Sequence, residues 1–106
     1  MNKKTEELKN MWFEKGCNYW TSGNYDLADE CFVEALALDK NDPLSWYNKG
    51  TSLLHNEQYN DAILCFKNSL ELDSNQLASW GNITMSYGMI GDDKSALECA
   101  DRGLDI

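Results

Sequence analysis

Hydrophobic side chains recur along much of the chain at intervals of three and four residues, the spacing of one face of an α-helix. Within residues 43–57 one such stripe consists of Trp46, Gly50, Leu53 and Leu54. A second stripe follows and consists of Tyr59, Ala62, Ile63, Phe66 and Leu70. The pattern predicts two consecutive helices. The first begins well, because Asp42 can cap it and Pro43 suits the first helical position.

The same pattern returns every 34 residues. Four residue types follow this interval: Trp12, Trp46 and Trp80; Ala28, Ala62 and Ala96; Cys31, Cys65 and Cys99; Leu36, Leu70 and Leu104. Residues 9–42 and 43–76 share 11 identities in 34 positions, whereas average composition gives about two by chance. The chain therefore divides into an N-terminal segment, residues 1–8, followed by repeat 1 (9–42), repeat 2 (43–76) and a degenerate repeat 3 (77–106).

Small residues at Gly50 and Ala62 predict a close approach of the two helices in a repeat, with Trp46, Leu53 and Phe66 filling the space around them. Glycine lies in the predicted turn of repeats 1 and 3, at Gly23 and Gly91. Repeat 2 has Glu57 at this position, so its turn has to form without glycine's conformational freedom.

This 34-residue unit resembles the tetratricopeptide repeat. Repeat 1 carries the pattern as Trp12, Gly16, Tyr19, Ala28, Phe32 and Ala35, and repeat 2 carries it as Trp46, Gly50, Leu53, Ala62, Phe66 and Ser69. Repeat 3 departs from it at Thr84, Asp93 and Ala100. The resemblance implies an all-α fold, a right-handed superhelix of three helix–turn–helix units, here without a capping helix after the third.

Charge narrows the range of partners. The chain has 18 acidic and 9 basic residues and a formal net charge of -9, so nucleic acids and anionic membrane surfaces would repel it. No apolar run reaches the ~20 residues of a membrane helix, and no signal peptide begins the chain. We therefore expect a cytoplasmic protein that binds neither nucleic acid nor membrane.

The cysteine and histidine content argues against catalysis and metal binding. Cys31, Cys65 and Cys99 occupy equivalent places on successive repeats, roughly 10 Å apart and beyond disulfide reach, so we expect reduced thiols. The one histidine, His55, could pair with Cys17, but no third residue is suggested to orient the pair. A soft-metal site of Cys17, His55, Met85 and Met89 would be too widely spread. We expect no enzyme activity, metal or cofactor.

A second stripe lies about 100° around each first helix from the core stripe, and it is mostly apolar or aromatic where a surface helix normally turns polar. The resemblance implies that first helices line a concave groove that receives partners. The candidate groove residues are Phe13, Cys17, Trp20, Tyr47, Asn48, Thr51, His55, Asn82, Met85 and Met89.

The best-known version of this groove in the family is a carboxylate clamp built from two Lys, an Arg and two Asn. The corresponding positions here are Phe13, Cys17, Asn48, Ala78 and Asn82. Only Asn48 matches, so a terminal carboxylate would find no cationic partner. Acidic residues cluster instead on the second helices of repeats 1 and 3, where we expect a solvated convex face: Asp26, Asp29, Glu30, Glu34, Asp92, Asp93, Glu98, Asp101 and Asp105.

Two functions fit these features. The first is a protein–protein interaction scaffold or adaptor that binds a peptide or helix in its concave groove, without a carboxylate clamp. The alternative is a structural self-assembly unit, in which the uncapped third repeat docks on another copy. Light scattering separates the two, because the first predicts a monomer and the second a dimer or an open array.

Overall fold

A computed structural model describes residues 1–104, whose regular secondary structure consists of six α-helices. In chain order these are α1 (Lys3–Thr21), α2 (Tyr25–Leu38), α3 (Pro43–His55), α4 (Tyr59–Leu72), α5 (Leu77–Met89) and α6 (Asp93–Leu104). Each predicted repeat therefore corresponds to one pair of antiparallel helices. The last two positions of the predicted third repeat, among them Asp105, lie outside the described residues.

The N-terminal segment is part of the first helix. Residues 1–8, which we predicted as a segment before repeat 1, are helical from Lys3 onward, and α1 runs from this segment into the repeat without a break. The side chain of Asn2 caps the helix by accepting a hydrogen bond from the backbone N–H of Thr5 at 2.8 Å. Such a cap satisfies an amide that has no partner within the helix.

The helices form an all-α solenoid in which each helix packs against its neighbours in sequence. The backbone of α3 also comes within 8 Å of α1 and of α5, whereas α2, α4 and α6 do not approach one another this closely. Because α1, α3 and α5 lie closer to one another than α2, α4 and α6 do, the array of helices is curved. The first helices therefore line the inner face, and the second helices form the outer face.

The close approach within repeats 1 and 2 depends on a phenylalanine that lies on a glycine. A Cβ atom placed on Gly50 would lie 2.7 Å from the ring of Phe66, and one on Gly16 would lie 2.7 Å from the ring of Phe32. Both rings are fully buried. In repeat 3 the equivalent positions are Thr84 and Ala100, and α6 has no fully buried residue within its described range. The third repeat therefore has the thinnest core.

The turns within the three repeats share one backbone conformation. The second residue after the first helix has a positive φ in each case: +83° at Gly23, +62° at Glu57 and +81° at Gly91. The third residue after the helix donates its N–H to a carbonyl five residues earlier, as Gln58 does to Leu53 at 2.8 Å. Glu57 thus adopts a left-handed conformation that favours glycine.

Two of the tryptophans that recur every 34 residues have a second role beside packing. Trp46 is half-buried and packs against the core cluster that contains Leu53 and Phe66. Its indole N–H donates to the carbonyl of Lys40 at 2.9 Å, and Trp80 donates in the same way to Ser74 at 2.8 Å. Each ring therefore fixes the loop that joins one repeat to the next.

The turn of repeat 2 should be stabilised by glycine. Replacing Glu57 removes a strained residue at positive φ, although the glycine also raises the entropy of the unfolded chain. We expect Glu57→Gly to raise the free energy of unfolding by about 1 kcal/mol, measured by urea denaturation. Glu57→Ala is the matched control and should give no such gain. A destabilised Glu57→Gly variant would contradict this interpretation.

The core of repeat 3 should accept a ring only if space is made for it. Ala100→Phe alone places a ring against the side chain of Thr84, and we expect a loss of about 1–3 kcal/mol from overpacking. Combining it with Thr84→Gly should recover at least about 1 kcal/mol relative to the sum of the single changes. A double-mutant cycle by thermal or urea denaturation measures this coupling. Strictly additive effects would show that the ring does not reach position 84.

Candidate functional site

A cavity of about 240 Å³ opens between α1 and α3. Its wall combines aromatic rings with a thiol, an amide and three hydroxyl groups, contributed by Cys17, Trp20, Thr21, Phe32, Tyr47, Asn48 and Thr51. A volume of this size is smaller than the ~300–1,000 Å³ of typical small-molecule sites. The cavity therefore suits a single inserted side chain, and we refer to it as the α1/α3 pocket.

Helical spacing brings these side chains together. On α1, Cys17 lies three and four residues before the other two lining residues, and the lining residues of α3 are spaced in the same way. Phe32 comes from α2. Its ring reaches the pocket because Gly16 has no side chain in its path. The glycine that permits close packing of the repeat thus also lets a buried core ring border the pocket.

Hydrogen bonds hold the polar residues of the wall. Asn48 donates its side-chain N–H to the Sγ atom of Cys17 at 3.7 Å, and the Thr51 hydroxyl donates to the backbone carbonyl of Asn48 at 2.8 Å. The Tyr47 hydroxyl accepts from the Asn82 side chain at 3.3 Å. Because a phenol is both donor and acceptor, the proton of Tyr47 remains available to a ligand.

An aromatic cluster borders one end of the pocket. The ring of Trp20 lies edge-on to Tyr25 and to His55, with centroids 6.0 Å and 5.2 Å apart. The Nδ1 atom of His55 lies 2.9 Å from the carbonyl oxygen of Thr51. The Nε1 atom of Trp20 is buried without a hydrogen-bond partner, which costs about 1–3 kcal/mol. The cluster nevertheless fixes the ring that forms one wall of the pocket.

The structure brings together part of the predicted groove set. Five of the ten residues line the pocket: Cys17, Trp20, Tyr47, Asn48 and Thr51. Three others contact the lining residues or their neighbours: Phe13 packs on Phe32, His55 on Trp20, and Asn82 on Tyr47. Met85 and Met89 do not line the pocket and are 55% and 56% exposed on α5.

Sequence reasoning left two lining residues out of the predicted set. Thr21 is the last residue of α1 and lies on the same stripe as Cys17, so helical spacing alone could have placed Thr21 in the predicted set. Phe32 belongs to the core stripe of a second helix, and nothing in its own helix indicates that it reaches the groove. Only its pairing with Gly16, 16 positions earlier, carries that information.

The pocket is free of positive charge. Among residues 1–104, no lysine or arginine borders it. Lys49 pairs instead with Asp29 at 3.5 Å, and Lys9 pairs with Asp39 at 3.3 Å. The carboxylate of Glu14 lies close enough to Cys17 to contribute to the raised pKa of its thiol, after the larger effect of burial. The charged group that acts on the thiol of the pocket is therefore a carboxylate, that of Glu14.

The four cysteines are free thiols, and burial raises the pKa of each. Cys31 and Cys65 are buried, whereas Cys17 and Cys99 are half-buried. Within the part of the chain that the structure describes, no three His, Cys, Asp or Glu side chains come together as a metal site would require. Cys17 and His55 also have different partners, Asn48 and Trp20 respectively.

Family profiles of the tetratricopeptide repeat match residues 10–42 and 43–76. The chain belongs to the tetratricopeptide repeat family. No curated protein matches it in a whole-sequence comparison. None of the helices described for this tetratricopeptide repeat protein has the length and apolar character needed to cross a membrane.

Solved structures share the tetratricopeptide fold at low sequence identity. The first tetratricopeptide domain of Spaghetti (RPAP3), bound to the HSP90 peptide SRMEEVD, aligns with a TM-score of 0.90 and 17% identity over 93% of this chain and 79% of its own. The second domain, bound to the same peptide, gives 0.90 and 18% over 95% and 94%. MamA gives 0.90 and 17% over 92% and 57%.

The thiols should differ in reactivity according to burial. We expect Cys31 and Cys65 of the folded protein to be alkylated about tenfold or more slowly than Cys17 and Cys99, since reaction requires an exposed thiolate. A raised pKa lowers the thiolate fraction at neutral pH. All four should therefore react more slowly than a cysteine in a short peptide and accelerate as the pH rises. Mass spectrometry of alkylated fragments gives the rates, with urea-unfolded protein as control. Equal rates for all four in the folded state would contradict the assigned burial.

Proposed function

We propose that the protein is an interaction scaffold or adaptor that binds a peptide or helical segment on its inner face. The observation that carries this proposal is the α1/α3 pocket, an uncharged, largely aromatic cavity on the side where first helices crowd together. Tyrosine and tryptophan are the side chains that most often anchor interfaces. The HSP90 peptides bound by the two Spaghetti domains give the precedent for peptide binding on this fold.

The mode of binding that we propose differs from a carboxylate clamp. At the five positions that correspond to a clamp, this chain has Phe13, Cys17, Asn48, Ala78 and Asn82. Phe13 packs on Phe32 with ring centroids 5.9 Å apart, and Cys17 accepts a hydrogen bond from Asn48. Neither residue supplies a positive charge, so a terminal carboxylate would lose its hydration without gaining an ionic partner.

We also propose that the protein acts by binding and not by catalysis, in a reducing compartment such as the cytoplasm. The wall of the pocket offers one thiol, Cys17, whose raised pKa disfavours the thiolate that nucleophilic catalysis needs. Its partner is an amide, not a base. The free state of all four cysteines supports a reducing location.

A second candidate function is self-assembly through repeat 3. It is favoured by an open apolar cavity of about 340 Å³ on α5 and α6, near which Leu77 and Leu104 are 60% and 83% exposed. Sedimentation velocity at high micromolar concentration distinguishes the candidates. A dimer or open array that is lost in Leu77→Asp would favour self-assembly, whereas a monomer would favour the scaffold.

Truncation of the pocket wall should weaken binding of the partner. We expect Trp20→Ala and Tyr47→Ala each to reduce the free energy of binding by about 2 kcal/mol or more. Asn48→Ala should weaken it by about 1 kcal/mol, because one hydrogen bond is lost. Affinity capture from the source cell identifies the partner, and titration with the purified partner measures the affinities. Circular dichroism melting shows whether each variant is folded.

The matched controls lie on the outer face. Glu30 and Glu34 are exposed on α2, so Glu30→Ala and Glu34→Ala should leave the affinity nearly unchanged. If these controls lose binding while Tyr47→Ala retains it, the binding site is the acidic outer face and the groove proposal is wrong.

A further inference from the structure

We infer that the groove takes a peptide segment whose internal aliphatic side chain enters the α1/α3 pocket and whose flanking residues are basic. This inference rests on the proposed function and deepens it by naming the chemistry of the partner. It combines three properties of the site: the size and character of the pocket, the hydrogen-bonding groups on its wall, and the charge around it.

The size of the pocket selects one aliphatic side chain. Its volume of about 240 Å³ cannot receive a whole helix, and its wall includes the rings of Trp20, Phe32 and Tyr47. A leucine- or methionine-sized group would bury its apolar surface against these rings at ~25 cal/mol per Å². A charged group would lose its hydration there without an ionic partner.

The groups on the wall favour an internal segment over a chain end. Tyr47 keeps a hydroxyl proton to donate, and the Asn48 side chain carries both a donor and an acceptor. These groups suit the N–H and C=O of a passing peptide backbone. A terminal carboxylate needs cations, and the pocket wall contains none.

Charge complementarity selects basic flanks. The chain carries a net charge of -9. Burial and, after it, the nearby carboxylate of Glu14 raise the pKa of the Cys17 thiol. Asp26, which we expected on the convex face, follows Tyr25 of the aromatic cluster and accepts a hydrogen bond from Asn56, the residue after His55. Lys15 and Lys67 lie instead over the rings of Trp12 and Tyr87. The peptide SRMEEVD, bound by the two Spaghetti domains, contains three carboxylate side chains and one arginine, which is the opposite balance to the one this groove would attract.

Selection from a random peptide library displayed on phage tests the inference. The library is panned on the folded protein and counter-selected on Tyr47→Ala, so that only peptides dependent on the groove survive. The surviving peptides should share an aliphatic residue with lysine or arginine close to it on either side. The selected peptides are then synthesised, and their binding is measured by fluorescence anisotropy. Replacement of the aliphatic residue by alanine should weaken binding by about tenfold or more.

A charge placed in the groove provides a variant that does not depend on core packing. Thr21 is exposed at the end of α1 and borders the pocket. Thr21→Lys should lower the affinity for the selected peptides by about threefold or more at low salt. The effect should shrink as added salt screens the charges. Leu64→Lys on the exposed side of α4 adds the same charge away from the pocket, and it should have less effect.

The outcomes separate this inference from the proposed function. If groove-dependent peptides are acidic, or bind equally well without the aliphatic residue, the inference is overturned while the groove remains the binding site. If no selected peptide depends on Tyr47 or responds to Thr21→Lys more than to Leu64→Lys, both the inference and the proposed function fail.

Discussion

The contact on which this architecture depends is a phenylalanine ring lying directly on glycine. Phe32 on Gly16 and Phe66 on Gly50 leave no room for a Cβ atom, so the two helices of repeat 1 and of repeat 2 approach more closely than side chains would allow. This approach buries Ala28 and Ala62 completely. It also carries the ring of Phe32 through to the inner face, where it forms part of the pocket wall. The same contact therefore stabilises the repeat and shapes its candidate site.

Repeat 3 lacks the ring-on-glycine contact, and this explains why its core is the thinnest of the three. A β-branched threonine at position 84 occupies the place of the glycine, and Ala100 supplies no ring to fill the remaining space. The described residues of α6 consequently include none that is fully buried. A repeat is stabilised by its own core and by its interface with a neighbour. In repeat 3 the fully buried apolar contact is that of Ile83, on α5, with the core cluster of repeat 2.

Periodicity predicts the helices and their pairing because stacked repeats must bury equivalent residues at equivalent places. It does not predict how far each residue is buried. Trp46 recurs at the expected interval, yet its ring fixes a loop through Lys40 and remains half-buried. Glu57 adopts the conformation of its glycine counterparts, because the hydrogen bonds of the turn outweigh local strain. Of the ten predicted groove residues, Met85 and Met89 lie away from the pocket. Spacing along one helix identifies a face, whereas a cavity requires two facing helices and a gap between them.

Residues that do not determine the fold can nevertheless change what the fold recognises. This chain aligns with the first Spaghetti domain with a TM-score of 0.90 at 17% identity, so backbone geometry alone cannot distinguish their ligands. Under the proposed function, the distinction lies in side chains on the inner face, most of which take no part in the ring-on-glycine contact. Here the facing positions of α1 and α3 carry Cys17, Tyr47 and Asn48. Asn48 donates a hydrogen bond to Cys17, and Tyr47 accepts one from Asn82 on α5, so these polar groups need no cation to compensate buried charge. An uncharged wall in an acidic protein pays no desolvation penalty for fixed ions. The selectivity that we propose for this groove would depend on the shape of one pocket and on the long-range field of the surrounding carboxylates.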